Sequence, residues 1–191
     1  MVYFLLILGY LFGSIPSGLI LSKTLMKKDI RNHGSGNIGT TNAYRLGGQK
    51  LGVLTLLGDM LKALIPILIT ESLRPHDIVT LCGVGLTVVV GHMFSAFLKF
   101  SGGKGVATSL AVLFYISPVI ALIAILVFVP VFYRTKMVSL ASLSAATVSV
   151  VASAILSSYP VLCLVISMFI LIILKHKDNI ARLIKGKENR I

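Results

Sequence analysis

The chain has 191 residues, of which 56% are hydrophobic, and its mean hydropathy of +0.96 is too high for an ordinary soluble domain. The formal net charge is +12, which in a soluble protein would suggest nucleic acid as a partner. In so apolar a chain, basic residues are instead expected in the cytoplasmic loops of a membrane protein. We therefore expect one polytopic membrane domain, residues 1–191, that binds no nucleic acid.

The first three candidate spans cover approximately residues 2–22, 51–70 and 78–98, since a membrane helix needs about 20 apolar residues. The first lacks the basic start and the cleavage site of a signal peptide, so it is expected to be retained. The second contains Asp59 and Lys62 one helical turn apart, and the third contains His92. Charges inside a membrane suggest function by default. A structural ion pair and a hydrogen-bonded core histidine agree equally well with the sequence.

The second half of the chain has two apolar runs that are each too long for one upright span. Residues 105–133 would form a helix of about 44 Å and residues 137–174 one of about 57 Å. Pro118 and Pro160 offer a break in each run. Four further spans are therefore expected near residues 106–117, 118–133, 137–158 and 160–174. The sequence predicts an all-α integral membrane protein with seven transmembrane helices.

The distribution of basic residues tests this count. With seven spans and the N-terminus outside, every Lys and Arg except Lys62 and Arg74 falls on one face of the membrane. If residues 105–133 formed a single span, the basic tail would lie outside. The positive-inside rule therefore favours seven spans and a cytoplasmic C-terminus.

The first polar segment, residues 34–45, lies in a predicted cytoplasmic loop of residues 23–50. Its glycines let backbone amides converge on an anion, and Ser35 and Arg45 can add hydrogen bonds to a phosphate. A structured loop that caps helices with Gly and Asn is the alternative, and this segment alone leaves both open. The other candidate phosphate-binding or substrate-binding residues here are Gly36, Asn37, Gly39, Thr41 and Asn42.

The second polar segment is residues 101–105, directly before the predicted helix from residue 106. Gly102, Gly103 and Gly105 surround Lys104. A glycine-rich turn with lysine at a helix N-terminus suits a phosphate, because free amides and the helix dipole face it. The GxxxxGK[ST] spacing and the preceding strand of a nucleotide triphosphatase are missing, so we reject that class. An ordinary turn with a lysine that reaches the interface is the alternative.

The third polar segment is the basic tail from residue 175. His176 and Asn179 share one helical face and are candidate site residues. The other cations of the tail are expected to anchor it to membrane lipids. On the sixth span, Ser142 is a candidate because it lies at the predicted cytoplasmic end, close to these segments.

Taken in order along the whole chain, these segments resemble the acyl-phosphate-dependent glycerol-3-phosphate acyltransferases of bacterial membranes. The one departure is Thr40, where that family often has alanine. The matching stretches are residues 13–18, 34–45, 58–62, 91–92 with 97–100, 102–108, 138–142 and 176–190.

The resemblance implies seven transmembrane helices in the bacterial cytoplasmic (inner) membrane, with the active site on the cytoplasmic face. It also implies transfer of a fatty acyl group from acyl phosphate to the 1-hydroxyl of glycerol 3-phosphate, which yields lysophosphatidic acid and phosphate and opens phospholipid synthesis. We expect a monomer without cofactor or metal, with the soluble enzyme that makes acyl phosphate as a possible partner.

No protein base is obvious in the sequence. The chain lacks the His-x4-Asp pair of other acyltransferases and a GxSxG elbow. Because acyl phosphate is already activated, positioning and charge stabilisation can suffice.

In this hypothesis Ser35, Arg45 and the amides of residues 36–39 hold one phosphate, while Lys104 bridges toward the other. Ser142, His176 and Asn179 orient glycerol 3-phosphate, and either a substrate phosphate or His176 accepts the hydroxyl proton. The rival functions are a transporter of phosphorylated small molecules and a lipid phosphatase or phosphotransferase. Both agree less well, because no repeat is present and the loops hold few arginines.

Overall fold

The computed structural model describes residues 1–191, which form nine α-helices and two 3-10 helices without any strand. The chain divides into two compact units, Met1–Val112 and Leu113–Ile191, which are described separately. The helices are α1 (Val2–Ser14), α2 (Ser17–Met26), α3 (Thr40–Leu73), α4 (Ile78–Met93), α5 (Val106–Ile116), α6 (Pro118–Thr135), α7 (Val138–Leu156), α8 (Tyr159–Lys175) and α9 (Lys177–Ile184), with 3-10 helices at Ile30–Asn32 and Ala96–Leu98.

Five segments are long and apolar enough to cross a membrane: Val2–Met26, Thr40–Leu73, Ile78–Leu98, Pro118–Thr135 and Val138–Leu156. A sixth is obtained if α8 and α9, which meet at a bend of 64°, are counted as one broken span. Helix α5 is apolar, but its 11 residues rise only about 16 Å. An all-helical integral membrane fold is therefore observed, whereas the count of seven spans stays a prediction.

The first predicted span, residues 2–22, lies within the apolar segment Val2–Met26 but is built from two helices. Helix α1 ends at Ser14, and α2 begins at Ser17. Pro16 causes the break, because it lacks an amide hydrogen and forces Ile15 out of the helical region, to φ −59° and ψ 119°. The break leaves carbonyl groups near residue 15 without helical partners, and side chains from other segments bind them.

Helix α3 begins at Thr40 rather than near residue 51, so the predicted loop of residues 23–50 was too long. Most of its polar second half is helical. The helix is interrupted at Gly47 and Gly48, and Gly48 has a φ of +67° that few other residues adopt. This break separates a short polar helical segment, which carries Asn42 and Arg45, from the apolar part of α3.

In the second unit, both predicted proline breaks are present. Helix α6 begins with Pro118, and α8 has Pro160 in its first turn. Helix α7 packs against α6 and α8. After α9 the tail folds back onto the start of α7, where the Ile191 amide donates to the Lys136 carbonyl.

Candidate active site

The loop of residues 33–39 is organised by the side chain of Asn42, which is only 1% exposed. Its Oδ1 accepts a hydrogen bond from the Ser35 amide at 2.9 Å. Its Nδ2 lies 3.1, 2.9 and 2.8 Å from the carbonyl oxygens of Ile30, His33 and Asn37, so its two N–H groups are shared among three acceptors. These contacts occupy the carboxamide of Asn42, so its evident role is to hold the loop rather than to face a substrate.

Several amides of this loop are also occupied by internal hydrogen bonds. The Gly36 amide donates to the His33 carbonyl, and the Gly39 amide donates to Oδ1 of Asn37. The predicted anion nest therefore cannot use the N–H groups of Gly36 and Gly39 while these bonds persist. The groups left facing outward are the exposed side chains of Ser35 and Arg45, together with the first turn of α3, which includes Thr41.

The second glycine loop rests on the C-terminal end of α4. The amides of Gly102 and Gly103 donate to the carbonyls of Met93 and His92 at 3.1 and 2.9 Å. These two glycines thus allow close approach to α4, and their amides are not directed at a ligand. The half-buried Lys104 follows at once, two residues before the start of α5. The N–H groups of the first turn of a helix have no partners within that helix, so Lys104 sits beside an anion-attracting position.

The two loops of the first unit share one hydrophobic support. A buried cluster of Leu19, Ile30, Ile38, Ala43 and Leu51 lies beneath the Ser35 loop. Leu98, from the segment that leads into the glycine loop, packs against the same cluster. The structure therefore brings together, on one core, the segments that carry Ser35, Arg45 and Lys104.

In the second unit, His176 lies at the junction between α8 and α9 and is only 2% exposed. Its Nδ1 is 2.8 Å from the Ile172 carbonyl. A carbonyl can only accept, so Nδ1 carries the proton and Nε2 of the neutral ring is an acceptor. The junction thus presents a histidine whose tautomer is fixed by the last turn of α8.

Two other candidates lie in this unit. Ser142 is buried on α7 and donates to the carbonyl of Val138 at 2.8 Å, a bond within its own helix. Asn179 is buried on α9, and its Nδ2 donates to Oε1 of Glu188 at 2.6 Å. That bond leaves Oδ1 of Asn179 as the acceptor end of the carboxamide.

Glu188 is the residue that sequence reasoning missed, because it lies in a tail assigned to membrane anchoring. Its carboxylate accepts from Ser139 at 2.9 Å, from Asn179 at 2.6 Å and from Arg182 at 2.8 Å. Burial alone would raise the pKa of Glu188, but these three hydrogen bonds and the charge of Arg182 together lower it. Glu188 is one of only two acidic residues in this basic tail, and that was the available signal. Its carboxylate connects the tail to α7 and α9.

The sequence model that describes glycerol-3-phosphate acyltransferase matches residues 3–186. The chain belongs to the glycerol-3-phosphate acyltransferase family. A relative of that name from Syntrophotalea carbinolica is 42% identical over 98% of this chain and 96% of its own length. One from Aquifex aeolicus is 45% identical over 98% of this chain and 97% of its own length.

Solved structures agree with this assignment. The crystal structure of PlsY (YgiH), an integral membrane glycerol 3-phosphate acyltransferase in its glycerol 3-phosphate form, has a TM-score of 0.93 at 42% identity and is matched over 100% of this chain and 95% of that one. The resemblance inferred from the motifs is confirmed, and the chain is an acyltransferase with an integral membrane fold. The individual site residues remain predictions.

Proposed function

We propose that this glycerol-3-phosphate acyltransferase uses acyl phosphate as its donor and acylates the 1-hydroxyl of glycerol 3-phosphate. The glycerol oxygen attacks the acyl carbonyl carbon, the carbon–oxygen bond to phosphate breaks, and phosphate leaves with the electron pair. The hydroxyl proton passes to a phosphate oxygen, so that lysophosphatidic acid and inorganic phosphate result. The observation that carries this proposal is the full-length family match, together with two cationic loops on one hydrophobic core.

The first unit provides phosphate binding. Ser35 is held with its side chain exposed by the Asn42 network, and Arg45 lies one helical turn further along α3. Lys104 precedes the N-terminus of α5, where positive charge and helix dipole act in the same direction. Two phosphates arrive in this reaction, and Ser35 adds a hydrogen-bond donor to the positive charges of Arg45 and Lys104. Gly36, Gly39, Gly102, Gly103 and Gly105 shape the two loops.

The second unit provides the group that contacts the nucleophile. The fixed tautomer of His176 makes Nε2 an acceptor, which can take a hydrogen bond from the attacking hydroxyl. Asn179 is oriented by Glu188, and Ser142 lies on the neighbouring helix α7. These side chains orient glycerol 3-phosphate. Acyl phosphate has a good leaving group, so orientation can supply most of the catalytic effect.

Two substitutions of His176 separate orientation from proton abstraction. Gln places an amide near the position of Nε2, whereas Asn places one near Nδ1, facing Ile172, and leaves the Nε2 position empty. If His176 only orients the hydroxyl, we expect His176→Gln to keep more activity than His176→Asn. The pH–rate profile of the native enzyme should then lack a limb near the reference histidine pKa of about 6.5. Inactivity of both variants, together with such a limb in the native enzyme, would show that His176 is the base.

The transporter that the sequence left open as an alternative is not favoured by the family match, and one experiment separates transport from catalysis. Purified protein in micelles is given synthetic acyl phosphate and glycerol 3-phosphate, so no soluble partner enzyme is needed. We expect lysophosphatidic acid to form, and Arg45→Ala and Lys104→Ala to reduce its rate. Ser167→Ala, at a half-buried position on α8 whose hydroxyl bonds only the Cys163 carbonyl of its own helix, is the control that should keep the native rate. Uptake of glycerol 3-phosphate into vesicles without any product would overturn the proposal.

The proposed topology has seven spans, the N-terminus outside and the loops of Ser35 and Lys104 in the cytoplasm. Under this proposal the short helix α5 crosses only the thinner part of the protein. Single cysteines placed at Lys27, Arg74 and Lys187 in a chain without Cys82 and Cys163 test it. An impermeant thiol reagent applied to intact cells should label only the cysteine at position 74. Labelling at position 187 would show that the orientation is reversed or that the number of spans is lower than seven.

A further inference from the structure

Three ionisable side chains inside the first unit have no part in the reaction proposed above. They are Asp59 and Lys62 on α3 and His92 near the end of α4, each less than 5% exposed. Charged groups at such positions cost much free energy, and well-packed apolar residues in their place are often as stable or more so. Their presence therefore calls for a role, and their contacts indicate one.

The three side chains contact one another in a row. Nζ of Lys62 is 2.9 Å from Oδ1 of Asp59, and the same carboxylate oxygen is 3.6 Å from Nδ1 of His92. Nζ of Lys62 also donates to the Ile15 carbonyl at 2.6 Å. That carbonyl belongs to the break between α1 and α2. The row thus places the imidazole of His92 against α3 and connects α3 to the break between α1 and α2.

The opposite edge of the His92 ring faces the glycine loop. A Cβ atom built on Gly103 would overlap Nε2 of His92, with Cε1 and Cδ2 as the next nearest atoms. The backbone of Gly103 does not have the positive φ that would itself require glycine. What excludes a side chain at position 103 is therefore the imidazole, and the loop lies where the ring allows it to lie.

We propose that His92 is a positioning residue, whose imidazole, held by Asp59 and Lys62, sets the place of Gly103 and so of the adjacent Lys104. This inference rests on the proposed function only in that Lys104 binds a substrate phosphate. A loop that moves by about 1 Å can cost a reaction on the order of a hundredfold in rate. The buried charges then serve the geometry of a site outside the apolar core.

The geometry provides a test by compensating substitutions. Gly103→Ala places a methyl group where it would overlap the imidazole ring of His92. His92→Asn keeps a polar group near the position of Nδ1, facing Asp59, and removes the ring atoms that face residue 103. We expect Gly103→Ala to raise KM for at least one phosphate substrate about tenfold or more while kcat changes less, and the double variant to regain most of that loss.

Gly102 supplies the matched control. A Cβ atom on Gly102 would overlap the backbone carbonyl of His92, not its ring. Shortening the side chain of residue 92 by His92→Asn should therefore restore the KM of Gly103→Ala but not that of Gly102→Ala. His76→Asn, at a histidine whose side chain is 94% exposed, controls for the loss of an imidazole elsewhere.

The steady-state constants with acyl phosphate and glycerol 3-phosphate and the melting temperature are measured for every variant. Rescue of KM at position 103 alone supports the proposal. Additive effects in the double variant, or melting temperatures that fall while KM is unchanged, overturn it.

If His92→Asn does not fold, Gly103→Ala alone decides: native KM values for both substrates contradict the proposal. Lys104→Ala separates this inference from the proposed function. If Lys104→Ala has native kinetics, the role of Lys104 is wrong. The coupling between positions 92 and 103, measured by melting temperature, still tests the contact.

Discussion

Replacement of Asn42 by alanine is expected to inactivate the enzyme through the Ser35 loop without unfolding the membrane helices. The carboxamide accepts one hydrogen bond, and its two N–H groups are shared among three carbonyls. An average hydrogen bond contributes about 1 kcal/mol net, and some of the released groups regain water. Loss of Asn42 should therefore destabilise the ordered loop by about 2–4 kcal/mol.

This free energy sets the size of the expected effect on activity. Each 1.4 kcal/mol corresponds to about a factor of ten in population, so kcat/KM should fall by up to about 30- to 700-fold if the ordered loop is only just favoured. The melting temperature should change much less, because α1, α3 and α4 also pack directly against one another. The two measurements together distinguish a positioning role from a general loss of stability.

The assay is steady-state formation of lysophosphatidic acid, with a melting curve for each variant. Asn32→Ala is the control, since Asn32 is exposed and ends the 3-10 helix directly before the loop. Asn42→Asp keeps the acceptor for the Ser35 amide but loses the donors, so it should also be strongly impaired. Native kcat/KM in Asn42→Ala would refute the assignment of Asn42 as the organiser of the loop.

Three further predictions concern charged groups. Hydrogen bonds lower the pKa of Glu188, so its ionised form adds stability that is complete above the ordinary value of 4.5 and is lost as the pH falls through the lowered value. The melting temperatures of the native enzyme and Glu188→Gln should therefore converge between pH 6 and pH 3. A difference that stays constant over this range would contradict the prediction. Lys62→Met removes the lysine partner of the buried Asp59 carboxylate and should lower the free energy of unfolding, measured by denaturant titration, by about 3–5 kcal/mol. Most of this loss should return when Asp59→Leu is added, and a double variant without recovery would contradict the prediction. Asp77 caps α4 by accepting a hydrogen bond from the Thr80 amide. This bond, followed by those from the Thr80 hydroxyl and Arg74, lowers the pKa of Asp77 to about 2. Asp77→Ala should lower the free energy of unfolding by about 1 kcal/mol in the same titration at pH 7, and an unchanged free energy would show that the cap is unimportant.

The helices of the second unit could be predicted closely from the sequence. The apolar runs exceed the length of one span, and Pro118 and Pro160 each sit where a break is needed. The structure begins α6 at Pro118 and places Pro160 in the first turn of α8. Length and proline act locally, so no knowledge of tertiary contacts was required.

The first unit was harder to predict because its decisive contacts join distant segments. Lys62 donates a hydrogen bond to the Ile15 carbonyl, 47 positions away in the chain. This bond satisfies a carbonyl group at the helix break before Pro16, a break that a count of apolar residues does not predict. Helix α3 extends back to Thr40 because its polar turns pack on Ile30 and Ile38 rather than because its sequence is apolar. Hydropathy alone gives no sign of either contact.

The candidate site was predictable in residue type but not in role. Asn42 and the glycines were selected as phosphate ligands because of their hydrogen-bonding capacity. In the structure, that capacity is spent on the loops themselves, as the Gly103 amide on the His92 carbonyl shows. Glu188 escaped notice because its partner Ser139 lies 49 positions away. A pattern of residues indicates which groups can bind, whereas tertiary structure decides which of them are already bound.

The central claim is that this protein joins an acyl group from acyl phosphate to glycerol 3-phosphate. Phosphorus NMR of the purified enzyme with both substrates in micelles tests it most directly. We predict that the acyl phosphate signal is replaced by equal amounts of lysophosphatidic acid and inorganic phosphate, and that no conversion above the uncatalysed rate occurs without glycerol 3-phosphate. Release of phosphate without lysophosphatidic acid, or no conversion at all, would contradict the account.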